Sequence, residues 1–89
     1  MAQGDISLEP LLNLRYGLMA IDGYVASDTD EDASPYYLGY VNKDGEWYIQ
    51  RIVETNMNKT IRYIKGSANY ATAWAARTGL TYDYFDNIF

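Results

Sequence analysis

The sequence predicts an α+β fold: a three-stranded antiparallel β-meander with a covering C-terminal helix and an N-terminal helix or extended arm. Three observations support this prediction. An aromatic hairpin occupies residues 36–53, a β-rich run follows at residues 60–65, and an alanine-rich stretch with helical spacing occupies residues 68–78. Consecutive strands joined by short turns and followed by a helix are typical of a small antiparallel sheet that is covered on one face.

The turn of the hairpin sets the register of its two strands. Asn42-Lys43-Asp44-Gly45 is typical of a type I turn closed by a glycine in the left-handed region. This turn places Val41 opposite Trp47 on one face and Tyr40 opposite Tyr48 on the other. The same register pairs Gly39 with Ile49, Tyr37 with Arg51, Leu38 with Gln50 and Tyr36 with Ile52. Both faces then carry large side chains, so we expect the chain's own helices to cover one face and a partner to cover the other.

The elements after the hairpin are predicted from their caps and spacing. A loop at residues 54–59 leads to the third strand at residues 60–65, and a Gly-Ser pair ends the sheet. Residues 68–78 are predicted to form a helix with Ser67 as its N-cap and Gly79 as its stop. A second short helix is predicted from Thr81, with Tyr82, Phe85 and Phe89 on one side.

Residues 1–27 are predicted to form an N-terminal arm or an amphipathic helix. Residues 8–21 place several apolar side chains on one helical face, with Ser7 as a plausible N-cap. Gly17 and Gly23 interrupt this pattern, so an extended arm laid on a neighbour is the alternative. Residues 28–35 are acidic and end in proline, which predicts a linker, and residues 36–89 then form the small β-meander plus helix domain.

Composition narrows the range of functions. The 89 residues contain neither cysteine nor histidine, which removes disulfides, thiolate nucleophiles, and the commonest general base and transition-metal ligand. A net charge of −5 argues against binding to bare nucleic acid. No segment has the pattern of a signal peptide or reaches membrane-spanning length, so we expect a chain that is made in a cytoplasm and contacts no membrane.

The acidic side chains do not predict a catalytic or metal site. Asp28, Asp30 and Asp32 repeat the opening spacing of a calcium-binding EF-hand loop, but the later glycine and bidentate glutamate positions are not matched. Asp44 and Glu46 flank the hairpin turn, where acidic residues are ordinary turn and strand residues rather than a glycosidase pair. We therefore expect no enzyme activity, no cofactor and no metal.

Aromatic residues instead predict binding through surfaces. Ten tyrosines and two tryptophans are present, and these residue types are enriched in protein interfaces and also in sugar-contacting surfaces. The predicted partner-binding residues are Leu11, Leu12, Tyr40, Trp47, Tyr48, Trp74, Phe85 and Phe89. A homo-oligomer or a multi-copy assembly is expected, because a chain this short buries a small core. A carbohydrate-binding module that contacts a host glycan is the alternative.

Four segments in order resemble short tailed-bacteriophage proteins. They are the hairpin run from Gly39 to Ile49, the strand Ile61-Arg62-Tyr63-Ile64-Lys65-Gly66, the run Tyr70-Ala71-Thr72-Ala73-Trp74, and the tail from Arg77 to Phe85. The resemblance covers residues 36–89. It implies a non-enzymatic structural component of a virion, placed at the tail, neck or fibre or in the capsid, with other virion proteins as partners and no catalytic residue to transfer.

Overall fold

The computed structural model describes residues 20–89, which form one antiparallel sheet followed by short helices. In chain order, the elements are β1 (Tyr24–Asp30), β2 (Tyr36–Asn42), β3 (Trp47–Thr55), β4 (Asn58–Gly66), α1 (Tyr70–Ala75), a 3₁₀-helix (Arg77–Gly79) and α2 (Phe85–Ile88). The α+β class is thereby confirmed for the described part of the chain. The predictions for residues 1–19, including the amphipathic helix, lie outside the described residues.

The strand number predicted from the sequence is wrong. The described residues contain four strands in the order β1-β2-β3-β4, not three. The additional strand, β1, pairs antiparallel with β2 and runs across the boundary that we expected between an arm and an acidic linker. Its sequence, Tyr-Val-Ala-Ser-Asp-Thr-Asp, alternates between half-buried and exposed residues, which is the pattern of a strand with one covered face.

The hairpin of β2 and β3 has the predicted register throughout. Val41 pairs with Trp47 and Tyr40 pairs with Tyr48, and the remaining predicted pairs are also present. The turn is closed as expected, because Gly45 has a φ of 86°. Asn42 stabilises the turn further: its Oδ1 accepts backbone N–H groups from Asp44 at 3.0 Å and from Glu46 at 2.9 Å. A local side-chain signal of this kind is readable from sequence.

The turn between β3 and β4 is tighter than predicted. Thr55 pairs with Asn58, so only Asn56 and Met57 connect the strands in place of a loop over residues 54–59. Asn56 adopts a φ of 55°, the left-handed conformation that asparagine tolerates and that a two-residue hairpin turn requires. The third predicted strand therefore begins two residues earlier, at Asn58.

The predicted helices are both shorter in the structure. The helix over residues 68–78 is reduced to α1, with Asn69 rather than Ser67 at its N-cap, and a 3₁₀-helix ends at Gly79. The second helix begins at Phe85 rather than Thr81. The intervening residues are extended, because Asp83 exchanges two backbone hydrogen bonds with Tyr63 on β4, at 2.7 and 2.9 Å. A segment that pairs with a strand cannot also be helical.

A β-bulge divides β1 into two halves. The bulge shifts the alternation of side chains between the two faces of the sheet by one residue. Ala26 pairs with Tyr40 and Asp28 pairs with Gly39, so Ser27 is the extra residue between them. Inserting one residue changes which side chains face each side of a sheet. Ala26 therefore shares a face with Tyr40, whereas Asp28 lies on the opposite face.

Both faces of the sheet contain buried side chains. The aromatic face is defined here by buried Leu38, Tyr40, Tyr48 and Ile52. The helix face is defined by buried Tyr37, Trp47 and Ile49, onto which α1 and Tyr82 pack. The chain itself therefore buries the central residues of both faces, whereas the sequence led us to expect that a partner would cover one of them.

Candidate interaction surface

The structure divides the predicted partner-binding residues into three groups. Leu11 and Leu12 lie outside the described residues. Tyr40, Trp47 and Tyr48 are buried within the chain, with Tyr40 1% exposed and Tyr48 fully buried. Trp74, Phe85 and Phe89 retain exposed surface. Tyr40, Trp47 and Tyr48 therefore contribute to the folding of the chain. Only Trp74, Phe85 and Phe89 can contact a partner without a change of fold.

Close packing and one hydrogen bond hold Trp47 in place. Its indole Nε1 donates to the backbone oxygen of Ala68 at 2.7 Å, and its ring lies directly over Gly66. A Cβ atom at Gly66 would lie only 2.8 Å from Trp47 Nε1, closer than van der Waals contact. The glycine that ends the sheet is therefore the residue that allows the tryptophan to lie flat on it.

Trp74 lies on α1 and packs against the helix face. Its ring stacks on Tyr70 with centroids 6.2 Å apart, and the guanidinium of Arg77 lies 4.5 Å from its centroid. The backbone oxygen of Trp74 also accepts a hydrogen bond from Arg77 Nη1 at 2.9 Å. Trp74 is thus half-buried and in contact with both Tyr70 and Arg77.

Phe85 and Phe89 form an exposed patch at the end of the chain. They stack on each other with centroids 4.8 Å apart, yet 48% and 42% of their respective surfaces remain exposed. Their inner edges meet the aromatic face: Phe85 contacts Tyr63 and Phe89 contacts Tyr48 in edge-to-face arrangements. We call Phe85, Phe89 and the neighbouring exposed Tyr84 the C-terminal aromatic patch.

The acidic side chains of β1 are engaged within the helix face. Tyr70 Oη donates to Asp28 Oδ2 at 2.8 Å, and Arg77 donates to Asp30 Oδ2 through Nε at 3.2 Å and Nη2 at 2.9 Å. The bulge at Ser27 is what turns both carboxylates to this face. No group of three or more potential ligand side chains that could hold a metal ion is found in residues 20–89.

Two buried tyrosines, Tyr48 and Tyr82, and the half-buried Tyr70 have pKa values raised by their surroundings. Burial raises the pKa of Tyr48 to about 12, and its hydroxyl accepts a hydrogen bond from the Ile21 backbone N–H at 2.9 Å. Burial also raises the pKa of Tyr82 and that of Tyr70, and for Tyr70 the hydrogen bond to Asp28 raises it further. All three phenols are therefore neutral at physiological pH and act as hydrogen-bonding core residues rather than as acids or bases.

One open pocket lies at the end of the sheet near the C-terminal aromatic patch. It encloses about 340 Å³ and is lined by Tyr24, Glu46, Lys65, Gly66, Ser67 and Phe89. The ammonium of Lys65 lies 4.9 Å from the centroid of Phe89. The pocket thus combines two aromatic rings with one acidic and one basic side chain.

Sequence reasoning missed several surface residues that the structure brings together. Arg62 places its guanidinium 4.0 Å from the ring centroid of Tyr84, and Tyr63 supports both phenylalanines of the C-terminal aromatic patch. The pairing of Tyr63 with Asp83 creates these contacts. This pairing joins residues twenty positions apart, and no local pattern in the sequence indicates it.

Comparisons with known proteins add no family assignment. No protein-family model, curated protein or solved structure matches the chain. Among the described residues, no helix is long and apolar enough to span a membrane.

Proposed function

We propose that this protein is a non-enzymatic structural subunit of a bacteriophage virion, where it holds neighbouring tail, neck, fibre or capsid proteins together. The observation that carries the proposal is the C-terminal aromatic patch, in which Phe85 and Phe89 stack on each other at the surface. The resemblance of residues 36–89 to small phage proteins supports the assignment to a virion. The patch supports binding to a neighbouring protein.

The patch has the features of an interface anchor. Its rings are supported from below by Tyr48 and Tyr63, so the side chains of Phe85 and Phe89 are ordered before a partner arrives. Rigid aromatic residues lose little side-chain entropy on binding and supply a large contact area. Truncating such an anchor at the centre of an interface costs on the order of 2 kcal/mol of binding free energy.

The first test is the assembly state of the full-length protein. We expect light scattering over a hundredfold concentration range to give a discrete oligomer, and circular dichroism on the same samples to show a folded chain. The double variant Phe85→Ser/Phe89→Ser is expected to stay folded and lose assembly. Met57→Ser, at a turn residue that is 94% exposed and far along the chain from the patch, is the matched control and should assemble normally.

The particle assignment needs a second measurement. Mass spectrometry of purified virions should detect the protein at a fixed copy number per particle. A folded monomer at every concentration that is also absent from purified particles would contradict the proposal. Loss of assembly in the Met57→Ser control would instead indicate a general effect of removing apolar surface, and would remove the support that the patch gives.

A carbohydrate-binding module is the second candidate. The rings that the sequence suggested for sugar stacking, those of Tyr40, Trp47 and Tyr48, are buried and do not support it. The pocket between Tyr24 and Phe89 does, because its volume of about 340 Å³ and its mixture of rings and charged side chains suit a small saccharide. Saturable nuclear magnetic resonance shifts at these two residues with a monosaccharide panel, abolished by Phe89→Ala, would favour this function.

A further inference from the structure

Two arginines face each other on the helix face of the sheet. Arg51 on β3 pairs directly with Arg62 on β4. The Cβ atoms of directly opposed residues in an antiparallel pair lie roughly 5 Å apart, and like charges in this arrangement are destabilising. Both side chains are half-buried, so their mutual repulsion is not fully screened by water.

The carboxylates of residues 20–89 do not neutralise this pair. Within residues 20–89, neither guanidinium has a carboxylate within ion-pair distance. Three other cations in the same range do: Lys43 pairs with Asp44, Lys59 with Glu54 and Arg77 with Asp30. Lys65 likewise has no ion pair there, but among the described residues only Arg51 and Arg62 are basic side chains directly opposed on neighbouring strands.

Hydrogen-bonding capacity is also left over at this pair. A guanidinium has five N–H donors and no acceptor. Arg62 uses Nη1 to donate to the backbone oxygen of Ile61 at 2.9 Å, whereas Arg51 Nε is buried without any hydrogen-bond partner. A buried N–H group without an acceptor costs free energy. Because Arg51 Nε is itself shielded from solvent, an acceptor from outside the chain would use the terminal N–H groups of the two guanidiniums.

Tyrosine rings occupy the flat sides of both guanidinium groups. Arg51 lies 4.8 Å from the centroid of Tyr82, and Arg62 lies 4.0 Å from the centroid of Tyr84. Stacking uses the face of a guanidinium and leaves the N–H groups at its edge free to bind in its plane. This is the arrangement in which arginine binds carboxylate and phosphate groups through two parallel hydrogen bonds.

We propose that Arg51 and Arg62 form a binding site for an oxyanion, either a carboxylate or a phosphate group. The bound anion neutralises the opposed charges and accepts hydrogen bonds from N–H groups that have no acceptor within residues 20–89. This inference rests on the arginine pair alone. It depends neither on Phe85 and Phe89, which carry the proposed function, nor on the virion assignment.

The test is a titration of the isotopically labelled full-length protein by nuclear magnetic resonance. Inorganic phosphate and succinate are added in separate experiments, with sodium chloride adjusted to keep the ionic strength constant. We expect saturable shifts of the Nε–Hε signals of Arg51 and Arg62, and the anion that binds more tightly identifies the preferred oxyanion. Saturable binding of either one supports the site.

Variants separate a built site from general attraction between charges. Arg62→Gln should weaken binding at least tenfold. Lys43→Gln removes the same charge from an exposed turn residue, whose side chain is 91% exposed, and should bind as the unmodified protein does. Arg62→Lys retains the charge without the planar fork of donors. Its affinity for the anion should fall between that of Arg62→Gln and that of the unmodified protein.

Two results would overturn the inference. The first is a linear, non-saturating shift with both anions in the unmodified protein. The second is an equal loss of affinity in Lys43→Gln and Arg62→Gln, which would indicate attraction by net charge alone. The amide spectrum of each variant shows whether it is folded, and Arg62→Lys preserves the test if Arg62→Gln does not fold.

Discussion

Side-chain hydrogen bonds and an ion pair to β1, called here the polar anchors, attach the cover of the helix face. The cover of the aromatic face is attached through contacts between aromatic rings. On the helix face, Tyr70 and Arg77 reach across the sheet to bind Asp28 and Asp30 on β1. On the aromatic face, the central pair is Tyr40 and Tyr48, which are stacked with centroids 4.5 Å apart at an interplanar angle of 12°. Hydrogen bonds fix direction and partner, while ring contacts tolerate small displacements.

This difference explains where exposed aromatic surface is found. The polar anchors of the helix face hold α1 close to the sheet, and the rings of Tyr37 and Trp47 beneath the cover are buried. The cover of the aromatic face includes Phe85 and Phe89, whose outer surfaces have no ring above them among the described residues. This face therefore keeps an exposed apolar surface, which is the surface that the proposed function uses.

The largest expected effect is on the helix face, at Gly39. A Cβ atom at this position would collide with the hydroxyl of Tyr70 and lie 2.9 Å from Trp74 Cε3. Gly39→Ala should therefore lower the free energy of unfolding by about 3 kcal/mol, because α1 must move away from β2. Urea unfolding followed by tryptophan fluorescence measures the change.

Gly79→Ala is the matched control for this substitution. A Cβ atom at Gly79 would have nothing within 4 Å, so the free energy of unfolding should change by less than about 0.5 kcal/mol. Equal costs for the two alanine variants would show that the close approach of α1 to the sheet does not contribute to stability. The contrast drawn between the two faces would then be wrong.

The second prediction concerns the aromatic face at high pH. Tyr48 has its pKa raised to about 12 by burial, whereas an unfolded tyrosine ionises near pH 10. Between these values the unfolded chain releases the phenolic proton and the folded chain keeps it, so the free energy of unfolding falls as pH rises. The stabilisation is complete below pH 10, and about 2 kcal/mol is lost by pH 12.

Urea unfolding at several pH values from 9 to 12 measures this loss. Tyr48→Phe should flatten the slope in part, because burial also raises the pKa values of Tyr70 and Tyr82 on the helix face and these residues still contribute. An unchanged slope in Tyr48→Phe would mean that the alkaline loss comes from the helix face alone. The two faces would then differ in their response to pH as well as in their packing.

The sequence predicted the parts of the fold that local chemistry determines. The register of β2 and β3 followed from the turn at residues 42–45, because Asn42 and Gly45 satisfy the requirements of that turn within a few residues. The strand β1 was missed because Asp28 and Asp30 have the composition of a solvated linker. Their partners, Tyr70 and Arg77, lie more than forty positions away, and no local pattern indicates such contacts.

The candidate site was predicted less well than the fold for a related reason. Aromatic residues serve both as core and as interface, and the sequence does not show which side chains are covered. Tyr40 and Tyr48 were selected together with Phe85 and Phe89, but only the phenylalanines retain exposed surface. The distinction depends on the pairing of Asp83 with Tyr63, which sets where the end of the chain crosses the sheet.

The smallest expected effect is at the ion pair of the helix face. Arg77 donates two hydrogen bonds to one oxygen of Asp30, and both side chains are less than a third exposed. Asp30→Asn should lower the free energy of unfolding by about 1 kcal/mol, and less at high salt. Asp44→Asn breaks a far more exposed pair with Lys43 and should have no measurable effect.

Arg77 has other contacts, so the ion pair must be isolated by a double-mutant cycle. Arg77→Gln also removes the stacking on Trp74 and the hydrogen bond to its backbone oxygen, and should therefore cost more than Asp30→Asn. The double variant should be less destabilised than the sum of the single variants, by about 1 kcal/mol. Strictly additive costs would mean that the carboxylate and the guanidinium act separately. The hydrogen bond from Tyr70 to Asp28 would then be the remaining polar anchor between the helix face and β1.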